Sequence, residues 1–377
     1  MEATGKIGGW FGTDDCILYR GQGQVKIYLF TTRLVGGAGQ VITGFANYLE
    51  QDKHAHEVTI FVGSKREVWP EYLRSNVKVI GGLNNRDQAD RVKKKIQAMP
   101  VPDVAFCFEG FPMFCVAKAY MGANVQLIGV LYSWSHGKYR KPRDEIQDCF
   151  GFTAANSVIT ASETWKKKLQ AIGVGQVRVV PLGVESGVFY ELGIKRKHRA
   201  FGTRLIAVQD MIGEGWDRKD TDLLLEIGAG FDGELDIYGD LPGKDLVSRT
   251  DFPNVFFHGH VSRRRIMAAY AGADGFISTS REEGFGLSIL EAMAAGLPVI
   301  TTDSGGNMDF VCDDYNARVI DRDAGQAIEA INMLMGAGGQ ETRKKLASGA
   351  FETGMSFDID KAYREYLRIM NIAFWIR

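Results

Sequence analysis

From Val25 onward, short runs rich in β-branched residues alternate with amphipathic stretches, and this is the pattern of a parallel sheet wrapped by crossover helices. It predicts strands at Val25 to Thr31, Val58 to Val62, Val77 to Ile80, Val104 to Phe108, Val125 to Val130, Val158 to Thr160 and Val177 to Val180. Helical stretches such as Gln40 to Glu50 and Arg86 to Ala98 fall between them. The alternation pauses after Pro181, through a polar segment ending in Lys195, Arg196, Lys197 and His198, and then resumes. The second set of strands is Leu205 to Val208, Leu235 to Tyr238, Val255 to Phe257, Gly275 to Ser278, Val299 to Thr302 and Ala317 to Ile320.

A chain of 377 residues exceeds the roughly 250 to 300 at which one core stops growing, so two doubly wound α/β domains are expected. We assign 1–193 to the first domain, joined by a C-terminal helix at 358–377, and 194–357 to the second. The 45 glycines against 9 prolines indicate many tight turns rather than a disordered tail. The longest apolar runs fall short of the roughly 20 residues that span a bilayer, and Asp14 and Asp15 stand where a signal peptide needs an apolar stretch. Five scattered cysteines without C-x-x-C spacing read as buried reduced thiols. A cytoplasmic location is therefore expected. Residues 1–194 carry 23 basic against 18 acidic residues, and the remainder 22 against 28. The basic clusters Arg91 to Lys95, Lys138 to Arg143 and Lys166 to Lys168 suit an anionic membrane surface or a phosphorylated acceptor, or are simply solvated helix faces.

The most informative stretch runs from Ser278 to Thr302: a strand end, a turn at Gly284-Phe285-Gly286, and a helix from Leu287 to Ala295. Open parallel sheets bind ligands beyond the carboxyl ends of their strands, and the free N–H groups of a helix start suit phosphate. Glu283 precedes that helix and Glu291 lies two turns along it in an otherwise apolar segment. A buried carboxylate needs a partner. Sugar and ribose hydroxyls supply one; a salt bridge within the domain and a helix-dipole contact supply the alternative.

Glu283-x7-Glu291, within Glu-Gly-Phe-Gly-Leu-Ser-Ile-Leu-Glu-Ala-Met-Ala-Ala-Gly-Leu-Pro-Val-Ile, resembles the E-x7-E signature of glycosyltransferase family 4. Weaker matches extend over most of the chain, from Gly36-Gly37-Ala38-Gly39 through Ala161-Ser162-Glu163 and Val180-Pro181-Leu182-Gly183-Val184 to Phe257-His258-Gly259-His260-Val261. The resemblance implies a GT-B fold, two Rossmann-like domains facing a cleft, and a retaining enzyme. It implies that Glu283 contacts the donor sugar, Glu291 the ribose, and the Gly286, Leu287 and Ser288 amides the diphosphate. It puts Gly37 beside the leaving phosphate and the acceptor, His136 at the donor sugar, and Gly305, Gly306 and Asn307 along the sugar pocket. Where the family carries an arginine and a lysine against the diphosphate, this chain has Asp210 followed by Arg218 and Lys219, so those two cations inherit the role. A DxD-type cluster of metal-binding carboxylates is not evident, since Asp313-Asp314 and Asp321-Arg322-Asp323 are expected to lie past the site, so no divalent metal or other cofactor is expected and activity should persist in chelator. The partners implied are a UDP- or GDP-linked sugar and a glycan or glycolipid acceptor, with peripheral membrane contact and no nucleic acid.

A nicotinamide-dependent oxidoreductase would need G-x-G-x-x-G and a following acid, which the first strand lacks. A non-hydrolysing sugar-nucleotide epimerase remains open, as does a catalytically silent sugar-nucleotide-binding scaffold, which the altered Asp210 permits.

Overall fold

Among the described residues the alternation is realised as two parallel sheets of seven and six strands. The computed structural model describes residues 25–51 without 33 and 35, 56–63, 73, 77–81, 89–132, 149–196, 203–241 without 213, and 252–375.

The first sheet holds β1 (Lys26–Thr31), β2 (Glu57–Val62), β3 (Lys78–Ile80), β4 (Val104–Phe108), β5 (Gln126–Leu131), β6 (Ser157–Thr160) and β7 (Val177–Val179) in the order β3-β2-β1-β4-β5-β6-β7. The helices α1 (Gly36–Gln51), α2 (Ala89–Gln97), α3 (Gly110–Ala119) and α4 (Glu163–Ala171) cross over between them. β4 and β5 are buried along their whole length, as continuous apolar runs covered on both faces must be. The chain returns here at its end: in the C-terminal helix Ile359–Trp375, the Tyr366 hydroxyl lies 2.7 Å from that of Tyr132, and Tyr363 donates to the Val41 carbonyl at 3.2 Å. The α1 glycines enter the helix itself, so it begins four residues before the apolar periodicity predicts. Arg91, Lys94 and Lys95 are exposed on α2, with Val92 and Ile96 buried beneath. The Lys138 to Arg143 cluster lies outside the described residues. Cys107 and Cys115 are buried as expected, whereas Cys149 and Cys312 are only partly so.

The second sheet holds β8 (Arg204–Val208), β9 (Glu234–Tyr238), β10 (Val255–Gly259), β11 (Gly275–Ser278), β12 (Val299–Thr301) and β13 (Arg318–Val319) in the order β10-β9-β8-β11-β12-β13. Its helices are α5 (Ser186–Arg196), α6 (Glu214–Arg218), α7 (Thr221–Gly230), α8 (Arg263–Gly272), α9 (Leu287–Ala294), α10 (Ala324–Met335) and α11 (Gln340–Ser356). The compact unit runs Leu182–Ile359, so the boundary lies a dozen residues before the expected 193. The reason is packing: α5 lies on α8, α9 and α11, and the chain segments entering and leaving the unit pair, Val184 donating to Phe357 at 2.8 Å and Ile359 to Val184 at 3.0 Å. Among the described residues no helix is long and apolar enough to cross a membrane.

Candidate active site

Four loops leave the carboxyl ends of β8, β11, β12 and β13 on the same edge of the second sheet, where a parallel sheet places its ligands. The β8 loop passes through α6 to Arg218, Lys219 and Asp220, the last in a left-handed conformation at the start of α7. The β11 loop is stitched to it. Thr279 donates its hydroxyl to the carbonyls of Lys219 and Asp220 at 2.9 and 3.0 Å, and the Arg281 amide donates to the Arg218 carbonyl at 2.8 Å. These bonds bring side chains 64 residues apart in sequence into contact.

Glu283 is only 7% exposed. Its Oε1 accepts from Lys219 Nζ and, at 2.7 Å, from the Ser280 hydroxyl; its Oε2 lies 3.8 Å from Arg218 Nη1. Burial pushes the carboxyl up, but the two cations and two hydrogen bonds outweigh it and hold it below the ordinary glutamate range. Burial is the largest influence on Lys219 and lowers it, against the pull of Glu283. At neutral pH the Glu283 carboxyl is ionised.

Gly286, with φ of 96°, caps the start of α9 in a conformation costly for any residue with a Cβ. The Leu287, Ser288 and Ile289 amides then stand in the first turn, where no intrahelical acceptor is available. The β12 loop closes against Glu283: the Glu283 amide donates to Ser304 at 2.9 Å, and the Gly306 amide to Glu283 at 3.3 Å. A Cβ on Gly306 would lie 2.3 Å from the Gly284 carbonyl oxygen, so only glycine permits this approach.

Asn307 is turned inward. Its side chain is fully buried, accepts from the Ser304 amide at 3.0 Å and donates to Thr301 Oγ1 at 3.2 Å and the Thr302 carbonyl at 2.9 Å. It braces the loop from within, while the Gly305 amide donates to the Asp303 carboxylate at 2.9 Å. Arg322 corrects the sequence reading. β13 borders β12, so its loop emerges beside the site, and the Arg322 guanidinium donates to the carbonyls of Ser280, Arg281 and Asp303 at 3.1, 3.3 and 2.7 Å.

Glu291 faces away from this cluster, toward α8. Arg263 donates to its Oε1 and the Tyr270 hydroxyl to its Oε2 at 3.0 Å. Burial opposes the charge on Arg263, yet Glu291 more than compensates and raises it; Tyr270 is raised by burial and by Glu291. The salt bridge within the domain exists, and its two donors take up two of the carboxylate's four acceptor positions. Gly37 belongs to the other compact unit, exposed in the first turn of α1. His136 lies outside the described residues. His258 lies 2.5 Å from Asp236 of β9, and His260 lies 3.6 Å from Asp240, just past the end of that strand.

Sequence reasoning missed Ser280, Arg263, Tyr270 and Ser304. Ser280 was within reach, three residues from Glu283 in the same loop. Ser304 Oγ is buried without a hydrogen-bond partner among the described residues, a state no sequence pattern announces.

Residues 236–353 match the family described as Glycosyl transferases group 1. The chain is 36% identical over 106 residues to a GDP-mannose-dependent alpha-mannosyltransferase of Mycolicibacterium smegmatis, covering 28% of each. It is 28% identical over 176 residues to a GDP-mannose-dependent alpha-(1-6)-phosphatidylinositol dimannoside mannosyltransferase of Mycobacterium tuberculosis, covering 44% of this chain and 46% of that protein. The chain thus spans less than half the length of these curated relatives. Among solved structures it resembles sucrose-phosphate synthase of Thermosynechococcus elongatus, with a TM-score of 0.76 at 17% identity over 94% of this chain and 100% of that one. It also resembles HepE of Anabaena in complex with UDP and glucose, with a TM-score of 0.73 at 16% identity over 92% and 99%. The likeness establishes the fold as two-domain α/β GT-B.

Proposed function

We propose that the chain is a retaining glycosyltransferase that moves a sugar from a nucleoside diphosphate, held by the second unit, to a hydroxyl acceptor served by the first. The observation that carries this is the joining of Glu283, Lys219 and Arg218 at the carboxyl edge of the sheet, beside the amide-rich start of α9. Glu283 suits donor-sugar hydroxyls, because a carboxylate kept ionised is a strong acceptor. Lys219, Arg218 and the α9 amides suit the diphosphate, whose charge grows as the bond from the anomeric carbon to the phosphate oxygen breaks. The acceptor oxygen bonds that carbon on the same face, and its proton passes to the departing phosphate, so no covalent nucleophile is required.

The relatives' GDP-mannose dependence and the UDP bound to the Anabaena neighbour support a nucleoside diphosphate donor. Base, sugar and acceptor follow from neither. We place the activity in polysaccharide or glycolipid assembly at the cytoplasmic membrane face, with the basic first unit toward the lipid, and expect it to persist in chelator. Calorimetry with UDP, GDP, ADP and NAD in chelator, on the wild type and on Glu291→Ala, tests the core of this reading. Tight binding of one diphosphate, weakened by the substitution, supports it; binding of NAD alone, or of nothing, refutes it.

One observation favours a second reading, a silent scaffold that binds the donor without turnover. Asp210 stands where the family's arginine is expected, is exposed, and spends its carboxylate on the Ile212 amide at 3.0 Å. Release of nucleoside diphosphate from the donor decides between them.

A further inference from the structure

Glu291 is held with unusual completeness for a carboxylate on a helix of mostly buried apolar residues. Leu290, Ala292 and Met293 around it are wholly buried. Both of its partners come from α8, where Arg263 and Tyr270 stand seven residues apart, two turns along one face. Each partner is itself anchored. Tyr270 is fully buried and its hydroxyl also lies 3.3 Å from the Ser288 carbonyl; the Arg263 guanidinium sits 5.6 Å over the Phe189 ring, with Nη2 3.7 Å from Glu185.

Two donors on two different oxygens fix the plane of a carboxylate, which one donor would leave free to turn. We infer that Arg263 and Tyr270 are positioning residues that aim Glu291 at the vicinal hydroxyls of a ribose, so that α8 sets the preference of the site for ribonucleotides over deoxyribonucleotides. This rests on the reading of the second unit as a nucleoside-diphosphate site. A correctly turned carboxylate accepts from a ribose hydroxyl in a charge-assisted bond; a 2′-deoxy ligand leaves that acceptor unmatched. A carboxylate free to turn forfeits the distinction while remaining charged.

The test is calorimetric affinity of the wild type, Arg263→Lys and Tyr270→Phe for UDP, GDP and ADP, and then for the 2′-deoxy counterpart of whichever binds. The wild type is expected to favour the ribo form by roughly tenfold or more. Each variant is expected to lose most of that preference by weakening the ribo form, with the deoxy form held within about twofold of wild type. Tyr270→Phe keeps the ring packing, and a melting temperature near wild type verifies that the fold survives. Equal weakening of both nucleotides would mark a structural role and overturn the inference, as would an unchanged ratio in Tyr270→Phe. A wild type that binds a diphosphate without discriminating the deoxy form overturns the inference alone; one that binds no nucleoside diphosphate overturns the functional reading with it.

Discussion

Glu283 and Glu291 stand eight residues apart, are buried to the same degree, and are neutralised from opposite quarters. Glu283 draws Arg218 from the end of α6 and Lys219 and Ser280 from loops at the carboxyl edge of the sheet; Glu291 draws Arg263 and Tyr270 from a single packed helix. The difference is in what can be exchanged. On the proposed reading, the cations beside Glu283 would be shared with an incoming diphosphate, whereas the partners of Glu291, locked on α8, would hold it as a fixed acceptor for the ligand.

The sharpest way to break this comparison is Lys219→Met. It removes the cation shared by Glu283 and the proposed diphosphate, and donor turnover is expected to fall by roughly 100- to 1,000-fold. Release of nucleoside diphosphate from the donor measures it, and a loss under about tenfold would separate Lys219 from the chemistry. Next in size is Asn307→Leu, which strips the β12 loop of three internal bonds. Leaving those buried groups unmatched should cost about 3 kcal/mol in urea unfolding. A stability near wild type would show that the loop against Glu283 does not depend on this brace.

Glu291→Ala is expected to weaken nucleoside-diphosphate binding by about tenfold, the worth of one charge-assisted hydrogen bond. An affinity unchanged in calorimetry would reduce Glu291 to its salt bridge. The smallest effect is on pH dependence. The folded carboxyl of Glu283 is depressed, so its contribution to stability is present above the ordinary glutamate value of about 4.3 and is lost as pH falls from there through the lower folded value. The stability gap between wild type and Glu283→Gln should therefore hold at neutral pH and close in acid. A gap that instead widened below about pH 4 would mean the carboxyl is neutral in the fold.

Much of this was legible in the chain because much of it is local. Among the described residues, each of the thirteen strands lies within two residues of a run picked from β-branched periodicity, and α9 begins at Leu287, where the Gly284-Phe285-Gly286 turn announces it. The boundary at 181 rather than 193 was illegible, since α5 looks like a polar linker and is claimed by the second unit only through the helices it packs on. Arg263 is one of three consecutive arginines, and nothing in that triplet says which one reaches Glu291. Arg322 seemed remote because it follows Glu283 by 39 residues, a distance that the neighbouring of β12 and β13 abolishes.

The sequence by itself determined the α/β character, the strand positions, the glycine turns and the spacing that puts one carboxylate before α9 and the other two turns into it. These depend on side-chain period and backbone freedom over about ten residues. Only the tertiary structure decided which charge answers which: Lys219 for Glu283, Arg263 and Tyr270 for Glu291, Arg322 for the loop carbonyls, and Asn307 turned inward. Those pairings follow from strand order and parallel register, which arise from packing summed over the whole sheet and are written in no single segment.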